Sequence, residues 1–410
     1  MDNISLVKKL PPMLYGNELE KALTILPEYA TGIVNEDAAT RLIALSDMYR
    51  VFVPTQMSKE IYSKMYLSLL RSLKKKESKL AIRQYAENHK ATRQQEYSGI
   101  IGGSDSFTII GASGIGKSSS ITRTVQLLTT EDIIEVKNPS SKIIPCVIVQ
   151  TPFDSSVKGL LLEILRVVDE KLGSKYYANA LRTKSTIDML IGSVSQVALN
   201  HIGLLVVDEI QHVVNHRHGK TLIGCLTQLI NNSGIAIAMV GTPESAAFFT
   251  QAMQLARRAL GLQYSPLEYG EEFQNLCKIL FAYQYVKHQT QLDTSIVHWL
   301  YEHSNGNIST VVSLIHDAQE IAILDGSETL NLTTLCAAYQ NRIAMLHPYI
   351  TVPSKPQTTS TKNPQLQMLP KVDCAADKIS ISTLVLRAKN ECRNVVAFLQ
   401  SYITVEEIAV

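Results

Sequence analysis

The sequence predicts an α/β P-loop fold, a parallel β-sheet flanked by helices, with a helical region before it and a helical lid after it. Three observations carry this. Residues 111–118 read Gly-Ala-Ser-Gly-Ile-Gly-Lys-Ser and fill every fixed position of the phosphate-binding loop G-x-x-x-x-G-K-[ST]. Short apolar runs rich in β-branched residues at 107–111, 142–150, 203–207 and 235–240 alternate with helical patterns at 117–128, 157–172, 186–199 and 221–231. That alternation suits parallel strands buried on both faces. The third run closes on two adjacent carboxylates, Asp208 and Glu209.

Composition sets the outer limits. A chain of 410 residues that is 45% apolar can bury a full core and predicts two or three domains. With a formal net charge of +2, nucleic-acid binding has to come from a local basic patch. The six cysteines, at 146, 225, 277, 336, 374 and 392, have no C-x-x-C spacing, which favours free thiols in a reducing compartment over a disulfide frame or a zinc site. No secretory signal is read at the N-terminus. The longest uncharged run, 221–243, is broken by Gln228, Asn231, Asn232 and Gly234, so it predicts a helix end and a buried strand instead of a membrane span. The expectation is a cytoplasmic protein with no membrane partner.

Residues 1–97 read as a mostly helical N-terminal region, with apolar residues at helical intervals over 37–51 and 59–73. Its end, 71–93, carries eight basic residues against two acidic ones. A nucleic-acid face and a solvated helix are both open readings of that run.

Residues 98–263 read as the nucleotide-binding domain. In the loop, Gly111, Ala112, Ser113, Gly114, Ile115 and Gly116 would wrap backbone N–H groups around phosphates. Lys117 would reach the outer phosphates of ATP, Ser118 would supply a hydroxyl to Mg²⁺, and Ser119 follows in the first helical turn. A sheet of this kind places its ligand at the carboxyl ends of the strands. Asp208 would hold the Mg²⁺ water shell, and Glu209 would polarise the water that attacks the γ-phosphate. His212 and His216 stand four apart, but no third ligand falls at a suitable interval, so no metal site is read there. The run ending at Thr242 places that hydroxyl beside the two carboxylates. Arg257 and Arg258 form a pair that could act in trans at a neighbouring subunit's site or serve as a surface pair.

Four features together resemble the TnsC and TniB family of AAA+ ATPases, which regulate transposition in Tn-seven-like elements, including those guided by CRISPR effectors. They are the block Gly203-Leu-Leu-Val-Val-Asp-Glu-Ile-Gln-His212, the turn Val240-Gly-Thr-Pro-Glu244, the segment Ala256-Arg-Arg-Ala-Leu-Gly261 and the early Leu10-Pro-Pro12. The resemblance spans residues 5–348. It implies an ATP-dependent switch that assembles with itself, as a ring or helical filament, on duplex target DNA. It implies further a link between a TniQ- or TnsD-type target-selection protein and the transposase subunits, with Arg257 or Arg258 as the finger across a subunit boundary. Lys158, Lys175, Arg182 and Lys184 are the expected DNA-contacting residues, because that side of the sheet tends to face the channel of an AAA+ ring.

Residues 264–348 fit the helical lid of such proteins, with helical periodicity at 273–283, 295–303, 308–324 and 332–346. Many AAA+ lids carry an Arg after the glycine of the turn at 305–307. Here Gly306 is followed by Asn307, so the lid lacks that charge and Arg257 and Arg258 are left to supply more of it. Residues 349–377 have linker composition, and 378–410 form a tail that suits docking to the transposase or fraying. Two other classes share parts of this pattern. An AAA+ replication or repair loader would more often show the lid Arg and a winged-helix segment, and a nucleotide-switched signalling NTPase would be followed by repeats. Neither set of features is read in the sequence.

Overall fold

Apolar residues at helical spacing organise the start of the chain into α1 (Gly16–Leu23), α2 (Ala38–Leu45) and α3 (Gln56–Lys76). The Asp37 carboxylate caps α2 by accepting from Thr40 N, and α3 starts on a reciprocal Thr55–Ser58 capping box. The helical spacing read over 37–51 ends early. After α2 comes a 3₁₀ turn, Ser46–Arg50, and the chain then extends, with Phe52 bridging Ile25. Val51 and Val53 are β-branched and Pro54 cannot donate a backbone hydrogen bond, so this stretch favours extended backbone.

The computed structural model describes residues 6–77, 106–129, 131–137, 140–152, 156–213, 219–245 and 260–343. These lie within one compact unit, Met1–Val352. The basic residues from Lys79 to Arg93, the Arg257–Arg258 pair, His216, the linker 349–377 and the tail 378–410 lie outside the described residues.

Next along the chain come β1 (Phe107–Gly111), α4 (Lys117–Leu128), β2 (Ile134–Lys137), β3 (Ser140–Gln150) and α5 (Val157–Leu172). They are followed by α6 (Tyr176–Arg182), α7 (Ile187–His201), β4 (Ile202–Asp208), α8 (Gly219–Ser233), β5 (Ala236–Gly241) and β6 (Leu260–Tyr264). The six strands form one sheet in the order β2-β3-β4-β5-β1-β6. All pairings are parallel except β2 with β3, so the expected parallel sheet carries one antiparallel edge strand. The apolar runs did not reveal β2, which is short, or β6, which has only two large apolar side chains besides Tyr264 and Gln263. β5 stands between the loop strand β1 and the carboxylate strand β4, and the lid follows the last strand. This is the layout of an AAA+ P-loop domain.

Alternation along the strands explains why both faces are buried. Leu205 and Val207 of β4 and Ile237 and Met239 of β5 face a core shared with α5, α7 and α8. Leu204 and Val206 of β4 and Ala238 and Val240 of β5 face the opposite core, where the helical cover comes from α3 and α4. Residues 6–77 therefore build no core of their own. Ile61, Met65, Leu69 and Leu73 of α3 complete one side of the sheet, while Leu45 and Met48 are buried in the lid core.

The lid comprises α9 (Glu271–Phe281), α10 (Thr294–Ser304), α11 (Ile308–Leu324) and α12 (Leu332–Ala338), with a π-helical turn at Tyr339–Ile343. Phe273, Leu276, Leu280, Leu300, Leu314 and Ile315 form its centre. No helix of the described residues is long and apolar enough to cross a membrane.

Candidate functional site

The loop 112–116 connects the carboxyl end of β1 to the first turn of α4, and its glycines are required by geometry. Gly114 and Gly116 have φ of 81° and 94°, where a side chain costs about 1–2 kcal/mol. Gly111 packs so closely on β6 that a Cβ would lie 2.9 Å from Tyr264 O. Lys117 is buried, and its Nζ donates to Gly111 O at 2.7 Å and Ala112 O at 2.8 Å. Burial pushes its ammonium below the ordinary lysine value, and the carboxylates of Asp208, Glu209 and Glu244 act against that shift.

β4 delivers the carboxylates. Asp208 Oδ2 accepts from Ser118 Oγ at 3.0 Å, and Oδ1 accepts from Glu209 N at 2.8 Å. The carbonyl of Asp208 is held by Thr151 N at 2.9 Å and Thr151 Oγ1 at 3.0 Å, tying the ends of β3 and β4 together. Glu209 adopts φ 58°, a left-handed conformation that turns its side chain out of line with the strand. Gln211 reaches back to it. Its Nε2 donates to Glu209 Oε2, while its Oε1 accepts from Thr242 N at 3.2 Å. His212 Nε2 stands 4.0 Å from the same Glu209 oxygen and its Nδ1 is 3.5 Å from Thr151 O, so the polar loop after β4 serves hydrogen bonding. Thr242 follows β5 and opens on the same cavity as Asp208 and Glu209. The Thr242 side chain is the main cause holding the Glu244 carboxyl below its ordinary value.

This cavity, of about 330 Å³, extends beyond the loop into a part the sequence did not announce. Its apolar wall is built by Tyr49, Val51 and Val53 from the N-terminal region and by Leu276, Leu280 and Val312 from the lid. A polar end of loop residues Ser113 to Ser119 with two carboxylates, joined to an apolar end, matches the two halves of a nucleotide. The only sequence signal for that wall was the extended Val-Phe-Val-Pro stretch. α3 is fastened to the loop helix by a Ser58 Oγ to Ser120 Oγ contact of 2.9 Å, which fixes this wall against the phosphate end.

The residues present fit a magnesium-bound triphosphate. Gly114 and Gly116 carry the positive φ that a close phosphate approach requires, and Ser118 and Asp208 are already paired as oxygen donors suited to a hard cation.

The four expected DNA residues are exposed but do not form one cluster. Lys158 lies in the first turn of α5, at the carboxyl edge of the sheet. Lys175 immediately precedes α6, beyond the other end of α5, a helix of 16 residues that spans about 24 Å. The hydrogen bonds from Tyr176 to His201 and from His201 to Lys142 O place that end at the amino edge of β3. Arg182 and Lys184 precede α7, which runs from the carboxyl edge back to the amino edge. At the end of α3, Lys76 Nζ is pinned to the carbonyls of Ala198 and Leu199. Burial lowers it to about 7. This part of the basic run therefore includes a structural contact.

Residues 102–266 match the TniB family, described as bacterial TniB protein. No curated protein matches the chain. Solved structures similar to it include the Aeropyrum pernix ORC1 protein in complex with DNA, at 15% identity and a TM-score of 0.42, covering 63% of this chain and 64% of that one. The chain thus spans less than two thirds of that protein's length. Drosophila ORC bound to DNA shares 13% identity at a TM-score of 0.37, over 73% of each chain. A Walker-type ATPase of Pyrococcus abyssi shares 9% identity at a TM-score of 0.37, over 65% of this chain and 73% of that one. The TniB match spans the loop, the carboxylate strand and all six strands of the sheet.

Proposed function

We propose that the protein is an ATPase whose nucleotide cycle switches an assembly on duplex target DNA, and that the assembly links a TniQ- or TnsD-type target-selection protein to the transposase. The observation that carries this reading is the convergence of Lys117, Ser118, Asp208 and Glu209 on one cavity within the segment that matches TniB. ATP with Mg²⁺ supplies the transferable phosphoryl group and the charge that draws electrons from it. Lys117 holds the outer phosphates, with Gly111 to Ser119 as cradle. Ser118 and Asp208 hold the metal, and Glu209 orients and deprotonates the attacking water. Thr242, bonded through Gln211 to Glu209, sits where it can report on that water. Arg257 or Arg258 completes the site across a subunit boundary. Lys158, Arg182 and Lys184 contribute phosphate contacts to DNA, and Lys175, at the other edge of the sheet, lies off that track.

Hydrolysis and assembly assays test this together. Lys117→Ala should lose ATP binding, and Glu209→Gln should bind ATP but hydrolyse it at least about a hundredfold more slowly. The double variant Arg257→Ala with Arg258→Ala should be inactive alone and regain hydrolysis when mixed with Lys117→Ala protein, since mixed assemblies contain sites with both halves intact. Wild-type hydrolysis by Glu209→Gln would remove that carboxylate from the reaction. Absence of complementation in a confirmed mixed assembly would remove the trans arginine.

A further inference from the structure

The turn that starts α11 is bonded on both sides. On one side Asn307 Nδ2 donates to Ser113 O at 2.7 Å, and Ser309 N donates to Gly114 O at 2.9 Å. Gly114 lies directly against the Asn307 side chain, and a Cβ there would sit 2.5 Å from its Oδ1. On the other side Leu267 N donates to Gly306 O at 3.1 Å. Gly306 has φ 74° and faces Leu267 so closely that any side chain would run into the Leu267 carbonyl. Leu267 stands between the end of β6 and the start of α9, where the chain passes from sheet to lid. One three-residue turn, 305–307, therefore touches both the phosphate loop and the joint on which the lid hangs.

The chemistry of those contacts says what they do to the loop. In a trans peptide the C=O and N–H point in opposite directions. Holding the carbonyls of Ser113 and Gly114 toward the lid turns the N–H groups of Gly114 and Ile115 the other way, the sense a phosphate cradle requires. An arginine at this turn would act on phosphate charge directly. An asparagine, neutral and bonded to backbone, acts on the loop that holds the phosphates.

We propose that Asn307 is a nucleotide-positioning residue: the turn 305–307 holds the phosphate loop open for its ligand and carries any shift of that loop to the sheet–lid joint, without a lid arginine. This rests on the reading of 111–118 as a nucleotide site. Nucleotide binding and lid position are then coupled through Ser113 O and Gly114 O, and the coupling runs both ways.

Asn307 also caps α11, its Oδ1 accepting from Thr310 N at 3.3 Å, so the test has to separate the two roles. Asn307→Asp keeps the capping oxygen and removes the donor to Ser113 O, whereas Asn307→Ala removes both. In the full-length protein, both variants should bind a non-hydrolysable ATP analogue with Mg²⁺ about five- to tenfold more weakly, as expected for one lost hydrogen bond, while kcat changes by less than about twofold. Without nucleotide, amide hydrogen exchange at residues 113–116 and at Ser309 should quicken in both. The thermal midpoint should fall only in Asn307→Ala. An Asn307→Asp protein with wild-type affinity and wild-type exchange would make Asn307 a helix cap only and overturn the proposal. Wild-type protein that bound no nucleotide would overturn the nucleotide reading, and the nucleotide-free exchange comparison would still decide whether the turn holds the loop.

Discussion

At Glu209 one side chain is held by a residue two positions away, and that residue also holds the end of the neighbouring strand. Glu209 is a non-glycine at φ 58°, a conformation that costs about 1–3 kcal/mol and persists only where the surroundings enforce it. Gln211 supplies part of that enforcement by donating to the Glu209 carboxylate and accepting from Thr242 N. Gly241 makes room, since a Cβ there would come within 3.2 Å of Gln211 Oε1. A carboxylate oxygen that accepts from an amide donor has fewer lone pairs to offer the attacking water. Gln211→Ala should therefore raise hydrolysis measured without DNA by about two- to fivefold and leave KM within about twofold, given the usual strength of one hydrogen bond. A fall in kcat would show instead that Gln211 aims the carboxylate productively. Both acids were legible in the sequence because a buried strand ended on them. Their link through Gln211 was not, because a glutamine in a polar loop has no periodicity that states its partner.

Among the elements, α2 is tied to the lid by a buried ion pair as well as by apolar packing. Arg41 is buried under the lid, where Nη1 and Nη2 each lie 2.6 Å from a Glu328 carboxylate oxygen, and Nη1 also donates to Tyr285 O at 3.0 Å. Removing one partner of a buried pair leaves the other charge uncompensated. Glu328→Ala should lower unfolding stability by about 3 kcal/mol, read from denaturant melts, whereas Lys59→Ala, which breaks an exposed contact with Glu20, should change it by under about 1 kcal/mol. The pH dependence follows from the same contact. The Arg41 hydrogen bonds hold the Glu328 carboxyl below its ordinary value, so its contribution is present above the unfolded-chain value of about 4.3 and is lost as pH falls through the lower folded value. The wild-type thermal midpoint should drop more steeply than that of Glu328→Gln as pH falls below about 4. Parallel curves for the two proteins would remove this pair from the acid response. Helical spacing revealed α2, but the sequence did not say that α2 packs on the lid while α1 and α3 pack on the sheet.

Across the whole molecule, basic residues lie at opposite edges of the sheet, which bears on where DNA would run. Lys158, Arg182 and Lys184 belong to elements that start or end near the carboxyl edge, and exposed Leu181, Ile187 and Met189 accompany the latter two. Lys175 and the end of α3 belong to the amino edge. A continuous phosphate track follows one edge, so the charges on the two edges should not act as one set. With a non-hydrolysable ATP analogue present, neutralising Lys158, Arg182 and Lys184 should flatten the slope of log affinity for duplex DNA against log salt, by about 0.9 per lost phosphate contact. Neutralising Lys175 alone should leave the slope unchanged. A flattened slope from Lys74→Ala together with Lys175→Ala, and none from the triple variant, would move the DNA to the amino edge.

Local sequence by itself determined the loop, the strands that carry it, the carboxylate pair and most helices, because each is set by residues close in the chain. Glycine spacing dictates backbone φ, two-residue alternation and apolar runs dictate strands, and 3.6-residue spacing dictates helices. Only the tertiary structure decided how residues 6–77 divide between the sheet core and the lid core. It also brought Tyr49, Val51 and Val53 to the loop, bonded Asn307 to Ser113 across 194 positions, and set Lys158 and Lys175 at opposite edges. These are contacts between segments distant in sequence, and their selection depends on which apolar faces cover which, a property of the assembled core that no local pattern contains.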